Sequence, residues 1–152
     1  MTETLPHVDQ LLSLLVDLAD RTDLELSITL TTASSVVTGV LISGGRWAEL
    51  NVALMEGAGE NLAGMKYFFD EVLKAQDIRK AKAATVRDAL TGVDIGDDYR
   101  TAITDVDAPS YIHLRDARML GPSGLVPTGA AAPWRGRLSE IAGWSIGEMR
   151  TS

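Results

Sequence analysis

The chain has 152 residues and no cysteine. That absence excludes disulfides, Cys-ligated zinc, iron–sulfur clusters and thiol catalysis. Aromatic residues make up only 5% of the chain, so aliphatic side chains have to fill most of the core. No apolar run approaches the ~20 residues that a membrane-spanning helix needs. The opening MTETLPHVDQ lacks the basic region of a secretory signal, and its first charged residue is Glu3. The expectation is a soluble chain with no membrane partner, compatible with a reducing cytoplasm.

Catalytic and phosphate-binding motifs are missing too. The two histidines, His7 and His113, show no paired spacing for a metal, and His113 reads as an ordinary strand residue. No Gly-x-Ser-x-Gly elbow, Gly-x-Gly-x-x-Gly turn or phosphate loop is present. Asp94, Asp97, Asp98, Asp105 and Asp107 fail the calcium-loop spacing, which requires a central glycine and a terminal glutamate. No catalytic residue, cofactor or metal is therefore assigned.

What is present is ordinary globular composition, 45% hydrophobic and 23% charged, in a length that suits one domain. The net charge of −7 sits entirely in the first half: residues 1–75 carry eleven acids against four bases, and residues 76–152 carry ten of each. A nucleic-acid partner is disfavoured, because such proteins draw affinity from basic patches. Smaller basic groups at Arg79–Lys82 and Arg135–Arg137 keep that option open.

Val8, Leu11, Leu12, Leu15, Leu18 and Ala19 recur at helical spacing and predict an amphipathic helix from Pro6 to Asp20. Leu24 to Thr31 alternate apolar and polar, which marks a half-buried strand. Val36 to Ser43 reads as its hairpin partner, apolar on both faces and so more central, with Gly39 marking a bend or bulge. From Trp47 the apolar spacing turns helical until about Lys74, with a break expected near Gly57–Gly59. Residues 110–120 predict a strand, Gly121–Pro133 a surface loop, and Trp134–Met149 a last hairpin turning at Ala142-Gly143.

The expected organisation is a single domain: a first strand pair over 24–45, a helical insertion over 46–92, an acidic connector over 93–109, and C-terminal strands over 110–149. The fold class is α+β, either an antiparallel five-stranded sheet or a small Sm-like barrel. An N-terminal helix precedes it, and a helical insertion lies between the second and third strands. Strands and helices do not alternate, which argues against parallel crossovers. The RNA-holding residues of Sm rings are not reproduced: Asn51 is only loosely placed, and Arg135-Gly136 opens a strand.

Three elements in the same order resemble the gas-vesicle accessory proteins of the U type (GvpU). They are Gly39-Val40-Leu41-Ile42-Ser43-Gly44, Tyr111-Ile112-His113-Leu114, and Trp134-Arg135-Gly136 followed by Glu140 and Gly143-Trp144. The resemblance implies a cytoplasmic, non-enzymatic protein made alongside gas vesicles. It would act through protein–protein contact and self-association in vesicle assembly or clustering. The implied partners are gas vesicle proteins and further copies of the chain, with no cofactor. The candidate interaction residues are Trp47, Trp134, Arg135, Arg137 and Trp144, since aromatic residues and arginine concentrate binding energy at interfaces. Each tryptophan has core packing as its alternative. Two other readings remain: an Sm-like oligomer that binds nucleic acid or acts as a scaffold, and a small enzyme or ligand-binding domain with a pocket around His113.

Overall fold

The computed structural model describes residues 8–58, 67–75, 77–78, 81 and 109–150. Helix α1 spans Gln10–Thr22. It starts where the Asp9 carboxylate accepts the Leu12 N–H at 3.0 Å, satisfying one of the free donors of the first turn. It ends at Asp23, whose left-handed φ of 55° stops the helix.

Strands β1, Leu26–Thr32, and β2, Val36–Ile42, then pair antiparallel in the register Ile28↔Gly39. Their turn is tied by Thr32, whose hydroxyl accepts from the Ser35 N–H at 3.1 Å. Helix α2, Gly44–Ala58, follows, three residues earlier than Trp47, where the periodicity placed its start. Residues 67–75 are also helical. The break expected near Gly57–Gly59 does not fall at Gly57, because α2 runs through it to Ala58. Gly59, the rest of the insertion and nearly all of the acidic connector lie outside the described residues.

Strand β3 runs Tyr111–Gly121, β4 Gly124–Val126, β5 Ala132–Arg137 and β6 Ile141–Ile146. The sheet is antiparallel with order β4-β3-β2-β1-β6, and β5 also pairs with β3. Long β3 therefore carries β2 along one edge and shares the other between β5 and β4. The opening hairpin is completed by the C-terminal strands, as expected, and β2 lies inside the sheet with six of its seven residues buried. Of the two forms left open by the sequence, an open sheet is observed.

Two local expectations are corrected. The last hairpin does not exist: β5 pairs with β3 and β6 with β1. Between them a 3-10 turn, Leu138–Glu140, buries Leu138 and carries the chain from one end of the strand order to the other. Gly121–Pro133 is not wholly a loop either, because a tight turn at residues 122–123 folds β4 back onto β3. This sixth strand is only three residues long, too short for its alternation to show.

Residues directly opposite in an antiparallel ladder share a face. Ile28, Leu30, Val37, Leu41, Ile112 and Leu114 thus form one buried face, on which α1 lays Leu12, Val16 and Ala19. Asp20 anchors the far end of α1, accepting the Gly44 N–H at 2.9 Å where β2 passes into α2. Leu11 and Leu18, placed on the core stripe, are exposed by 60% and 45%, and Leu14 by 52%. The apolar arc of α1 is wider than the surface it covers. Helix α2 and the 67–75 segment lie against the other face, where Ile42, Ala48, Phe69 and His113 are buried.

Candidate functional site

Strand β5 distributes its residues by the strict alternation of a strand. Trp134 and Gly136 face the α1 side, opposite Leu114 and Ile112. Arg135 and Arg137 face the α2 side, opposite His113 and Tyr111. A Cβ on Gly136 would run into the Trp134 ring. The bare Cα therefore lets the indole fold across it and reach the core, where Trp134 packs half-buried. The Trp-Arg-Gly triplet thus supplies a core anchor, an outward cation and the room the anchor needs.

On the α2 side the arginine completes an aromatic cluster. The Arg135 guanidinium lies 3.7 Å from the Tyr111 ring centroid and 5.5 Å from that of Trp47, within cation–π range. Trp47 packs on His113 at 5.1 Å and edge-on to Phe69 at 5.4 Å between centroids. Burial, reinforced by the Arg135 charge, lowers the His113 pKa to about 4, because both penalise an added proton. His113 Nδ1 and Trp47 Nε1 are buried with no hydrogen-bond partner among the described residues. The imidazole is neutral at ordinary pH and acts as a packing group.

The five sequence candidates therefore divide. Trp47 and Arg135 come together on the α2 face, with Arg137 exposed on the same face of β5. Trp134 and Trp144 lie on the α1 face and pack against the core. Trp144 sits at the start of α1, its indole N–H donating to Asp9 Oδ2 at 3.3 Å. Asn51, considered for RNA contact, is turned back within α2, where its side-chain amide donates to the Trp47 carbonyl at 2.8 Å.

Elsewhere on the surface, a cleft of about 320 Å³ beside the end of α1 is lined by Asp23, Glu25, Arg46, Glu49 and Asp77, among others. Among the described residues no cluster of three or more His, Asp or Glu could hold a metal, and no helix is long and apolar enough to cross a membrane. The exposed leucines of α1 and Ile146, exposed by 60%, are not among the interaction candidates of the sequence, where Leu11 and Leu18 read as core. Their signal was available for α1, whose apolar arc exceeds the ~100° that one buried face occupies.

Comparison with known proteins agrees with the three ordered elements. A family model described as gas vesicle protein GvpU-like matches residues 9–149. No curated protein and no solved structure matches the chain. The match runs from the cap of α1 to the residues that follow β6, taking in every described strand. On that coverage, the chain belongs to the GvpU-like family of gas vesicle proteins.

Proposed function

We propose that this protein is a non-enzymatic, cytoplasmic accessory protein of gas vesicles that acts by protein–protein contact and self-association in vesicle assembly or clustering. The observation that carries the reading is the family match across residues 9–149. The surface chemistry is compatible with it. Arg135 and Arg137 stand exposed beside the half-buried rings of Tyr111 and Trp47, a composition enriched where proteins meet. The contact face for vesicle proteins is this arginine–aromatic surface of β5. Trp134, facing the core from the other side of β5, supports it from beneath, whereas Trp144 packs at the far end of the strand order.

A flotation assay tests the reading. Tagged protein is mixed with purified gas vesicles and centrifuged, and the floating layer is probed. Wild-type protein is expected in that layer, and Arg135→Glu with Arg137→Glu is expected to leave it. Both side chains are exposed, so the double variant spares the core. Wild-type protein that stays in the subnatant, with a raised absorbance at 260 nm, would favour the nucleic-acid reading and overturn this one.

A further inference from the structure

The two outer edges of the sheet differ in how they are defended. Which backbone groups point outward follows from the ladder. The Gly147 N–H donates to the Ser27 carbonyl at 2.7 Å, and in an antiparallel pair inward- and outward-pointing residues alternate. Ser145 thus turns its polar backbone toward Thr29 of β1, while Trp144 and Ile146 present theirs at the open edge. At the other end, the Leu138 N–H donates to the Ser110 carbonyl at 3.0 Å. By the same alternation Pro133, Arg135 and Arg137 are the outward residues of β5.

Natural sheets protect open edges with proline and charge. At the β3 end the β5 edge has both, and β4 beside it is protected by being only three residues long. The β6 edge, Ile-Ala-Gly-Trp-Ser-Ile, has neither. Beside it lies an uncovered apolar flank of α1. Asp20, held to Gly44 at the end of β2, marks the flank of the helix turned toward β2. At 100° per residue, Leu11 and Leu18 fall on the opposite flank, across the buried Leu12–Val16–Ala19 line. That flank is turned toward β6, on the same sheet face as Trp144 and Ile146.

We propose that the β6 edge is a homodimer interface, in which two copies pair β6 with β6 antiparallel about a two-fold axis near Ser145. This rests on the self-association reading given above. The edge is self-complementary. Its outward residues lie on one face, so pairing with its own copy joins like face to like face and aligns each N–H with a carbonyl. The two α1 helices then stand on the same side of one continuous sheet. Leu11 and Leu18 of each close the gap between them. Pairing β6 with the β5 edge of another copy is disfavoured. It loses a donor at Pro133, and it brings the α1 face of one copy level with the α2 face of the next.

The absence of cysteine makes the test direct. Ser145 is exposed, and Ser145→Cys in the full chain puts one thiol per copy beside the proposed axis. Sedimentation equilibrium should give twice the 16.3 kDa chain mass, and a short bismaleimide should link Ser145→Cys to itself. Ile146→Lys, checked for folding by circular dichroism, should weaken dimerisation at least tenfold. Leu18→Glu, also at an exposed position, should do the same. Cross-linking only when Ser145→Cys is mixed with Arg135→Cys would establish head-to-tail pairing and overturn the proposal, as would an unlinked monomer. Flotation run in parallel separates the two readings. A monomer that floats with vesicles refutes the dimer alone, whereas a dimer that stays below refutes the vesicle reading alone.

Discussion

Gly39→Ala is the substitution for which the structure sets the clearest cost. Gly39 lies in β2 where the ladder with β3 slips: Thr38 pairs with Arg118, but Val40 pairs with Arg115. The extra β3 residue is taken up around Asp116, whose φ of 53° is left-handed. This bulge presses β3 onto β2. A Cβ at position 39 would stand 2.9 Å from the Arg115 carbonyl oxygen and 3.2 Å from the Ala117 Cα. Both are backbone atoms, so no side-chain rotation makes room.

Overpacking of this kind costs about 1–3 kcal/mol. Replacing a glycine inside a strand returns about 0.5–1 kcal/mol through lower unfolded-state entropy. The net loss is at most about 2.5 kcal/mol and centres on roughly 1 kcal/mol, or about 2–4 °C in Tm for a domain of this size. Urea melts followed by tryptophan fluorescence and thermal melts followed by circular dichroism would both read it. Gly143→Ala in β6 is the matched control. Nothing lies within 4 Å of its added Cβ, so stability should hold or rise by about 0.5–1 kcal/mol. A Gly39→Ala variant as stable as wild type would refute the claim that the bulge leaves no room for a side chain.

Two further perturbations follow from buried polar groups. His113, with its pKa lowered to about 4, stays neutral when folded but titrates near 6.5 when unfolded. The unfolded chain then binds the extra proton, so the stability contribution is intact above pH ~6.5. It falls as pH drops toward 4, by up to about 3 kcal/mol. His113→Gln should flatten that slope in urea melts taken across the interval, and an unchanged slope would refute the assignment. Asp20→Ala should cost about 1–3 kcal/mol by stranding the Gly44 N–H. Asp20→Asn, which keeps an acceptor, should cost less, and equal losses in the two variants would place the contribution in the charge instead.

The sequence was most legible where one local pattern has one local outcome. Alternation over residues 24–31 and 36–43 specified two paired strands, and the lone glycine in the second coincides with the bulge it suggested. Alternation says that a segment is a strand but not which strand it joins. Trp134–Met149 therefore read as a hairpin, although its arms pair with β3 and β1. The deciding feature was Leu138, a buried residue in a 3-10 turn, where apolar character looked like one more strand position. Helix α1 erred the other way. Its Leu11 and Leu18 read as core, but the sheet beneath fully buries only the Leu12–Val16–Ala19 line, with Val8 and Leu15 partly buried beside it. For the candidate site, residue type nominated Trp47 and Arg135 separately. Their meeting depends on α2 crossing to β5, a long-range contact that no local spacing encodes.

A clustering protein needs two contacts that do not compete, one with the vesicle and one with its own copies. The proposed surfaces meet that condition. The arginine–aromatic surface belongs to β5 and the α2 face, while the pairing edge belongs to β6 and the α1 face, at the opposite end of the strand order. They share no residue, and substitutions without shared partners act nearly independently. Arg135→Glu with Arg137→Glu should therefore abolish flotation and leave the dimer intact. Ile146→Lys should float as a monomer. Vesicles mixed with either variant should stay dispersed under light microscopy, because clustering requires both contacts on one molecule. Clustering by Ile146→Lys at wild-type efficiency would show that vesicle bridging does not run through the β6 edge.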